Sequence, residues 1–414
     1  MTPDPAAVPD GWQTLRLGDV IAGSPGGGTP SRAVPAYWGG PIPWATVKDM
    51  GDRVLTCTEE SITEEGVAAS ATRVIPAGTV VVATRMAVGA VAWTAIATAI
   101  NQDLKALVPG DRLDSGFLLH FMLSRASQME AAGTGTTVKG VSIDFIRRLE
   151  LLLPPLPEQR AIAAVLDGID DAIERTEKVI AATERVRDAL LHELLTRGLP
   201  GRHSEWAEVP GLGTVPACWD IVRLGDVTTV RNGATPSRSC AGYWEGDGVP
   251  FVKTGRVNDI SIEQPDEFIS SRAVESTSAV IVPAGSVLIA MIGQGRTRGK
   301  AARLRFDAAI NQNFAAVYDA VGELSLDFIF LWAQHNYAAI RNRGQGTNQD
   351  ALNCDLIEGL RLPRPSGAEQ DEIAAFVGAL SEREASEGRL LRELRHAKAA
   401  AAEALLTGRV RVAV

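Results

Sequence analysis

The sequence predicts an α+β protein in which two tandem copies of a globular domain are separated by two long helices that pair as an antiparallel coiled coil. Three observations predict this fold: an internal repeat, β-rich segments bounded by turn residues, and two long apolar stripes with helical spacing. The length of 414 residues suits two or three domains. We expect a first domain at 1–155, a central long helix at 156–200, a second domain at 201–364 and a C-terminal long helix at 365–414.

The internal repeat consists of short motifs that recur in the same order. The segment Arg16–Val20, Arg-Leu-Gly-Asp-Val, is repeated without change at Arg223–Val227. Further pairs are Thr29–Arg32 with Thr235–Arg238, Tyr37-Trp38 with Tyr243-Trp244, Pro76–Gly78 with Pro283–Gly285, Ile100–Gln102 with Ile310–Gln312, and Leu194–Thr196 with Leu405–Thr407. Because the order is kept and the offset stays near 210 residues, we interpret the chain as a tandem duplication in which each copy has its own domain.

Each copy begins with a globular part that mixes strands and short helices. The apolar runs Val80–Ala83 and Val287–Ala290 predict buried strands, and a Pro-Ala-Gly turn precedes each of them. Leu118–Met129 and Leu326–Ile340 predict short helices. This mixture favours an α+β domain.

Each copy ends in a segment that predicts a long helix. Prolines precede both segments, and Pro157 suits the first turn of a helix that continues to Thr196. Apolar residues recur at a spacing of three or four along it. We expect the interface between the two helices to contain Ile162, Val165, Ile169, Ile173, Val179, Val186, Leu190, Ile373, Phe376, Leu380, Leu391, Leu394 and Leu405. The alternative is that each helix lies alone on its own domain.

The second stripe is less regular than the first. Arg383, Glu384, Glu387 and Gly388 interrupt it. This interruption predicts a bend in the helix or a looser pairing.

Charge and hydropathy exclude several classes of protein. The net charge of −9 excludes a uniformly basic nucleic-acid coat, although a local basic surface remains compatible with it. Residues 1–13 have no basic stretch followed by an apolar run, so we expect no signal peptide. The most apolar window, Ala87–Ile100, has 14 residues, and a spanning helix needs about 20. We therefore expect no membrane segment and a cytoplasmic protein.

Motifs for catalysis and for metal binding are missing from the sequence. Gly293–Lys300 departs from a phosphate-binding loop because Gly295 and Gly299 enclose three residues and Ala301 follows the lysine. The five histidines are scattered; we expect His120 and His335 to pack inside and His192 and His396 to lie on solvated faces. The cysteines at 57, 218, 240 and 354 have no metal-site spacing, and we expect buried reduced thiols. The sequence thus predicts no catalytic residue, no metal and no cofactor on this chain.

Basic residues are concentrated in loops. No acid occurs between Glu275 and Asp307, whereas arginines and a lysine occupy 296, 298, 300, 303 and 305. A basic glycine-rich loop after a strand can place arginine forks and backbone N–H groups against phosphates or guanine edges. The alternative is a solvated hairpin. The polar segment 344–349 adds Gln and Asn amides, which can pair with adenine edges, and 133–139 is its partner segment in the first copy.

Taken together, these motifs resemble the specificity subunit of type I restriction-modification systems. The residues that carry the resemblance are the two Arg-Leu-Gly-Asp-Val segments, Gly-x-Thr-Pro-Ser at Gly27–Ser31 and Gly233–Ser237, Tyr-Trp, Val282–Ala290 and Ala309–Asn313. The start of the central helix, Leu-Pro-Pro-Leu-Pro-Glu-Gln at Leu153–Gln159, is the most specific motif. The resemblance covers essentially the whole chain, twice.

The resemblance implies two target-recognition domains, each reading one half of a bipartite site in double-stranded DNA, with the helix pair setting the unread spacer. It implies methylation subunits that bind along the helices and methylate adenine N6 with S-adenosylmethionine, and a motor-nuclease subunit that uses ATP and Mg²⁺. It also implies a chain that is itself not an enzyme. The first copy lacks the basic loop, because Met86–Ala90 stands in its place.

The residues that we expect to contact DNA come from these loops and from the repeated motifs. They are Thr29, Ser31, Arg32, Lys48, Arg85, Lys139, Thr235, Ser237, Arg238, Lys253, Arg256, Arg296, Arg298, Lys300, Arg343, Gln345 and Asn348. The alternative function is a non-catalytic coiled-coil scaffold that assembles proteins without reading DNA.

Overall fold

The computed structural model describes residues 8–133, 140–245, 248–293, 295–321, 324–343 and 351–413. The chain divides into two compact units. One combines the residues up to Glu177 with those from Arg389 onwards, and the other is Lys178–Gly388. Each unit therefore contains one globular domain and a part of each long helix.

The first unit is built from short strands and helices. Its strands are β1 Gln13–Arg16, β2 Ile21–Gly23, β3 Trp38–Ala45, β4 Val54–Leu55, β5 Glu60–Ile62, β6 Arg73–Ile75, β7 Val80–Ala83, β8 Val91–Thr94, β9 Thr98–Ile100, β10 Leu104–Pro109 and β11 Glu150–Leu153. Its short helices are α1 Glu64–Ala68, α2 Ser115–Ser124, α3 Ala126–Ala132 and α4 Ile143–Arg147, and the long helix α5 Leu156–Arg197 begins here. Single 3-10 turns lie at Leu17–Asp19, Pro35–Tyr37 and Val47–Asp49.

Two sheets and one ribbon organise this unit. The larger sheet has the order β2-β10-β7-β8-β4, and the smaller one has the order β5-β3-β9-β6. β1 pairs antiparallel with β11, the strand that leads into α5. β7 is buried along its whole length, as its unbroken Val-Val-Val-Ala sequence predicts. The main core packs α2 and the start of α5 against the larger sheet through Phe117, Leu118 and Ile162.

The second unit contains the remaining elements. Its strands are β12 Trp206–Val209, β13 Gly213–Pro216, β14 Asp220–Arg223, β15 Thr229–Asn232, β16 Val249–Val252, β17 Ser261–Ile262, β18 Glu267–Ile269, β19 Ile281–Val282, β20 Val287–Ala290, β21 Ala301–Leu304, β22 Ala308–Ile310, β23 Phe314–Tyr318 and β24 Arg361–Arg364. Its short helices are α6 Leu224–Val227, α7 Ser271–Ser276, α8 Leu326–His335, α9 Tyr337–Asn342 and α10 Cys354–Glu358, and the long helix α11 Gly367–Leu406 begins here. 3-10 turns lie at Ala241–Tyr243 and Thr254–Asp259.

The duplication is visible strand by strand. The second unit has sheets β15-β23-β20-β21-β17 and β18-β16-β22-β19, and the ribbon β14-β24 leads into α11. These orders match those of the first unit. The turn before β20 shows why its sequence recurs: Ser286 N donates to Pro283 O at 3.2 Å, and Gly285 has φ +87°. A type II turn requires this positive φ, and Gly78 meets the same requirement with φ +84°. The predicted fold class is confirmed.

The predicted short helices are each divided in two. Arg125 separates α2 from α3 and Asn336 separates α8 from α9, both with ψ near 0°. A bridge-region residue of this kind ends one helix and changes the direction of the next. Apolar periodicity continues across such a turn, which is why the sequence predicted single helices.

The two long helices pair antiparallel in each unit. In the first unit Lys398 contacts Asp170, and Arg395 lies 2.7 Å from Glu177. In the second, Arg187 Nη1 donates to Glu384 Oε2 at 2.6 Å, so the polar stretch around Glu384 does not interrupt α11. The residues that we described as an irregularity of the stripe thus supply a cross-helix ion pair.

The stripe residues have three different environments. Ile162, Leu405 and Ile373 belong to the cores of the globular domains. Ile169, Ile173, Val179, Leu190, Leu380, Leu391 and Leu394 are half-buried along the helices. Val165, Val186 and Phe376 are 43%, 56% and 56% exposed, so the expectation that these three are buried in the helix pairing is wrong. The stripe is wider than one helix–helix contact because part of it packs on a domain.

The structure bears on two expectations, the burial of the cysteines and the membrane segment. Cys57 and Cys218 are exposed, and Cys240 and Cys354 are half-buried, so the expectation of buried thiols is wrong. Cys57, Cys218 and Cys240 lie in loops, whereas Cys354, at the start of α10, packs against the core of the second unit. Among the described residues, none of the helices is both long and apolar enough to cross a bilayer.

Candidate nucleic-acid interface

The repeated Gly-x-Thr-Pro-Ser loops are fixed against the repeated Ile-Asn-Gln turns. A Cβ on Gly27 would lie 1.7 Å from the carbonyl oxygen of Ile100, so no other residue fits there. This close approach lets Thr29 Oγ1 donate to Gln102 Oε1 at 2.6 Å. The second copy repeats the arrangement, since Thr235 Oγ1 donates to Gln312 Oε1 at 2.6 Å. The two motifs recur together because each holds the other.

The arginine that follows each loop is held by a tryptophan and a glutamate. Arg32 stacks on Trp38 with its guanidinium carbon 3.7 Å from the ring centroid, and it pairs with Glu60. The hydrogen bond from Arg32 lowers the pKa of Glu60 below its ordinary value. Such an arginine has a fixed direction, although more than half of its side-chain surface remains exposed.

The second copy reproduces this clamp. Arg238 lies 3.4 Å from the ring centroid of Trp244 and 2.5 Å from Glu267. Both tryptophans also donate from Nε1 to the carbonyl of the loop serine, Trp38 to Ser31 and Trp244 to Ser237, at 3.2 Å. The Tyr-Trp motif thus positions the Thr-Pro-Ser-Arg loop in each domain.

Other basic residues of the predicted interface are partly engaged by acids. Lys48 is 74% exposed in its side chain and lies 3.8 Å from Glu59. Lys253 contacts Glu267. Arg256 is 3.1 Å from Asp259 and 3.2 Å from Asp266. These acids lower the positive charge around each cation, so each of these sites binds phosphate more weakly than its lysine or arginine alone would indicate.

The basic segment of the second domain forms the β20–β21 hairpin, and its cations divide into two groups. Arg296 is exposed, and Lys300 Nζ donates to Asn258 Oδ1 at 2.7 Å. Arg298 is only 5% exposed, so the expectation that it touches DNA directly is wrong for this conformation. Its carbonyl accepts from Arg341 Nη1 at 3.2 Å, which ties the hairpin to α9. Arg296 and Arg298 both lie in the turn at 295–299, where the regular alternation of a strand does not apply.

Polar contacts join the loop after the buried strand of each domain, β7 or β20, to residues elsewhere in that domain. In the second domain Tyr337 Oη donates to the carbonyl of Arg296 at 2.9 Å, and Arg343 donates to Gly359 at 3.1 Å. In the first domain Arg85 forms an isolated bridge with Gly140 and its Nε lies 3.8 Å from Asp103. The predicted contacts Lys139, Gln345 and Asn348 lie outside the described residues. Among the described residues, the β20–β21 hairpin therefore contacts α9 in the second domain, and Arg85 contacts Gly140 in the first.

Several polar contacts of the domains join residues to partners that sequence reasoning did not identify. Arg303 is 8% exposed and lies 3.0 Å from Asp327 at the start of α8. In the first unit His120 Nε2 is 3.0 Å from Asp167 Oδ1 of α5, and Arg53 bonds the same carboxylate at 2.5 Å. Burial lowers the pKa of His120 below its ordinary value, against the opposing charge of Asp167. The spacing of residues along the sequence could not reveal these contacts, because the two members of each pair are far apart in the chain.

The duplicated architecture agrees with the comparison with known families. A family model described as the type I restriction modification DNA specificity domain matches the chain over residues 9–185 and again over 216–396. The chain belongs to this family. The resemblance drawn from the sequence motifs is thereby confirmed, and the two matches coincide with the two copies.

Individual specificity subunits are similar to this chain over its full length or over part of it. The type I restriction enzyme MjaIX specificity subunit of Methanocaldococcus jannaschii is 25% identical over 417 aligned residues, which cover 99% of this chain and 96% of that protein. The EcoR124I/EcoR124II specificity subunit of Escherichia coli is 33% identical over 166 residues, or 38% of this chain and 40% of that protein.

Solved structures of the family share the fold. The crystal structure of a type I S subunit from M. genitalium covers 95% of this chain and 96% of its own, with a TM-score of 0.62 at 15% identity. A chain from a structural study of complex assembly and conformational transition of the type I R-M system covers 98% of this chain and 100% of its own, with a TM-score of 0.59 at 18% identity.

Proposed function

We propose that this chain selects the DNA target of a type I restriction-modification complex, with each domain reading one half of a bipartite site. The observation that carries the proposal is that the DNA specificity model matches both copies, and that both copies hold the same loops by the same contacts. A duplicated reading domain on one chain suits a target made of two separated sequences. The chain itself supplies recognition, and the partner subunits supply the chemistry.

Recognition uses the outward-facing cations of the loops. In the second domain Arg296 and Lys300 are the surface members of the hairpin, and Arg343 lies beside the adjoining segment. In the first domain Arg85 directly precedes Met86–Ala90, the segment that stands in place of the basic loop. Arginine forks read guanine edges, and single cations position the phosphate backbone. With a net charge of −9, we expect these local contacts to bind weakly unless partner subunits add phosphate contacts.

The partners follow from the family. Methylation subunits transfer a methyl group from S-adenosylmethionine to adenine N6, and a motor-nuclease subunit uses ATP and Mg²⁺ to cleave unmodified DNA. We place these cofactors in the partner subunits and the assembled complex in the cytoplasm, where chromosomal DNA is accessible. Apolar side chains that remain exposed on the long helices, such as Val186 and Phe376, suit a protein partner.

The competing function is a coiled-coil scaffold that assembles proteins without reading DNA. It explains the helices, but it gives no role to two copies of the Arg–Trp–Glu clamp at exposed loops. The two functions differ in one outcome, namely whether the chain determines which adenines are methylated.

The test is single-molecule methylome sequencing of cells that express this chain with its methylation subunit. The expected result is adenine methylation at one bipartite motif that disappears when the chain is omitted. Exchange of the second domain, 201–364, for that of another specificity subunit should change one half of the motif and leave the other half unchanged. Methylation at an unaltered motif after this exchange would support the scaffold instead.

A further inference from the structure

Two histidines from different elements of the second unit meet at a cavity. His192 lies in α5, and His335 is the last residue of α8. His192 Nδ1 and His335 Nε2 are 3.3 Å apart, and the ring centroids are separated by 5.2 Å. The cavity has a volume of about 600 Å³, and its other lining residues include Asp188, Asn258, Lys300 and Tyr337. The DNA-reading function gives this pair no role.

The separation of the two nitrogens is compatible with two kinds of contact. At 3.3 Å it exceeds the range of about 2.7–3.2 Å in which protein N–H groups donate well. Two imidazole nitrogens that bind one tetrahedral metal at about 2.05 Å are necessarily about 3.3 Å apart. The observed distance therefore matches a shared metal ion as well as it matches a long hydrogen bond between the two rings.

The protonation state of His335 near neutral pH is compatible with metal binding. Burial, and secondarily the neighbouring His192, lower the pKa of His335 below its ordinary value. Neutral imidazole is the form that binds transition metals.

The charged groups around the pair are largely matched. Arg187 bonds Glu384 at 2.6 Å and Asp188 at 3.0 Å, so its charge is compensated by two acids. Lys300 donates to Asn258. Asp188 lies one turn before His192 on α5 and lines the same cavity, so a rotamer change would add its carboxylate to the site.

We propose that His192 and His335 bind a divalent transition metal of the Zn²⁺, Ni²⁺ and Cu²⁺ class, and so clamp α5 to the second domain. Water in the cavity completes the coordination. The site revises the expectation of no metal on this chain. Spacing could not reveal it, because the two ligands are separated by 143 residues and belong to no finger motif.

A second cluster of metal-ligand residues provides an internal comparison. The ligand-type atoms of His120, Asp167 and Asp170 in the first unit lie within 4.8 Å of one another. Arg53 bonds Asp167, and Lys398 contacts Asp170. These two cations already balance the two carboxylates, so this cluster is an ion-pair network rather than a metal site.

The experiment is calorimetric titration of the full chain with ZnCl₂, together with the EPR spectrum of the Cu²⁺-loaded protein. We expect one equivalent to bind, with nitrogen hyperfine structure from two imidazoles. His192→Ala and His335→Ala should each weaken binding at least tenfold and leave one imidazole nitrogen in the spectrum. His396→Ala, which removes an exposed histidine from α11, is the matched control and should bind like the unaltered chain.

The possible outcomes distinguish the His192–His335 pair from the His120 cluster, and they distinguish loss of a ligand from loss of the fold. His192 is exposed, so its replacement should leave the thermal unfolding curve of the metal-free chain unchanged, and this variant decides the test if His335→Ala unfolds. Unaltered affinity in His192→Ala overturns the proposal. Loss of binding in Asp167→Asn, with retention in His192→Ala, would place the metal in the first unit and also overturn it.

Discussion

Trp12 Nε1 donates a hydrogen bond to Glu158 Oε2 at 3.0 Å, and both side chains are at least 95% buried. Glu158 lies in the first turn of α5, where a negative charge interacts favourably with the helix dipole. Trp219 Nε1 makes the same contact with Glu369 in the first turn of α11, at 3.2 Å. A tryptophan from the start of each domain thus fixes the start of the helix that follows that domain.

The neighbouring glutamines complete this junction. Gln159 Oε1 accepts from the backbone of Asp114 at 2.8 Å, and its Nε2 donates to Pro154 at 2.8 Å. Gln370 repeats both contacts, with Ser325 at 2.7 Å and Pro365 at 2.8 Å. The Glu-Gln pair recurs after the prolines because buried polar atoms of both side chains form corresponding hydrogen bonds in each copy.

The first prediction is that loss of the buried carboxylate destabilises the domain–helix junction. Glu158→Gln leaves Arg411 without its charged partner, to which Glu158 is bonded at 2.6 and 2.8 Å. We expect a loss of about 1–3 kcal/mol in the free energy of unfolding, measured with denaturant. Glu177→Gln removes an exposed cross-helix pair and should cost less than about 1 kcal/mol. Equal losses in the two variants would contradict the prediction.

The same carboxylate predicts a dependence on pH. The hydrogen bond from Arg411, assisted by Trp12 and opposed by burial, lowers the pKa of Glu158 below its ordinary value of 4.5. Its contribution to stability is therefore complete above that value and is lost as the pH falls through the lower value of the folded state. The acid limb of the stability curve should be shallower in Glu158→Gln, and an unchanged limb would show that other carboxylates control it.

A third prediction concerns His120, which is 2% exposed and contacts Asp167. Because burial lowers its pKa, the folded state favours the neutral ring, so protonation of the unfolded chain opposes folding. Stability should fall as the pH drops through the ordinary value of 6.5, and less so in His120→Gln. The slope of unfolding free energy against pH, between about pH 5 and 7, measures this. His396→Gln should keep the slope of the unaltered chain.

How far the sequence predicted this structure depends on the range of the contacts. The duplication, the fold class and the loops followed from motifs that repeat in order, because local turns and buried strands require particular residues. The Glu158 junction and the His120–Asp167 contact did not, since each joins segments far apart in the chain. Burial of Arg298 was also invisible, because a basic run gives no sign of which side chain turns inwards.

The fourth prediction separates surface from buried arginines in the β20–β21 hairpin. In complex with the methylation subunit, Arg296→Ala should cost about 1–3 kcal/mol of DNA-binding free energy for each base-edge contact that is lost. If Arg296 contacts phosphate instead, affinity should fall equally for all DNA sequences, and the dependence of affinity on salt should become less steep. Arg298→Ala should instead lower thermal stability. Arg272→Ala removes an equal charge from α7 and should change neither quantity. Gel-shift affinity at several salt concentrations distinguishes these results, and an unaltered affinity and slope in Arg296→Ala would support a solvated hairpin.

The last prediction is that the paired helices determine the length of the unread spacer, if the chain reads a bipartite site. The two compact units meet in sequence at Lys178 in α5 and at Arg389 in α11. Insertion of four residues before each of these positions adds about 6 Å to both helices and nearly preserves the apolar stripe, because four residues make about one turn. B-DNA rises about 3.4 Å per base pair, so the spacer should lengthen by roughly one or two base pairs while both half-site sequences stay the same.

Two control variants show whether paired packing, and not chain length alone, sets this spacer. Insertion of four residues in α5 only should abolish methylation or shift the spacer incompletely, since ion pairs such as Arg187–Glu384 and Arg395–Glu177 would lose their register. Paired insertion of three residues turns the stripe the other way and should be tolerated less well than four. Methylome sequencing reads motif and spacer together. Efficient methylation by the paired four-residue variant at the original spacer would show that side-chain packing along the helices does not fix the distance between the half-sites, because a flexible connection would then absorb the added length.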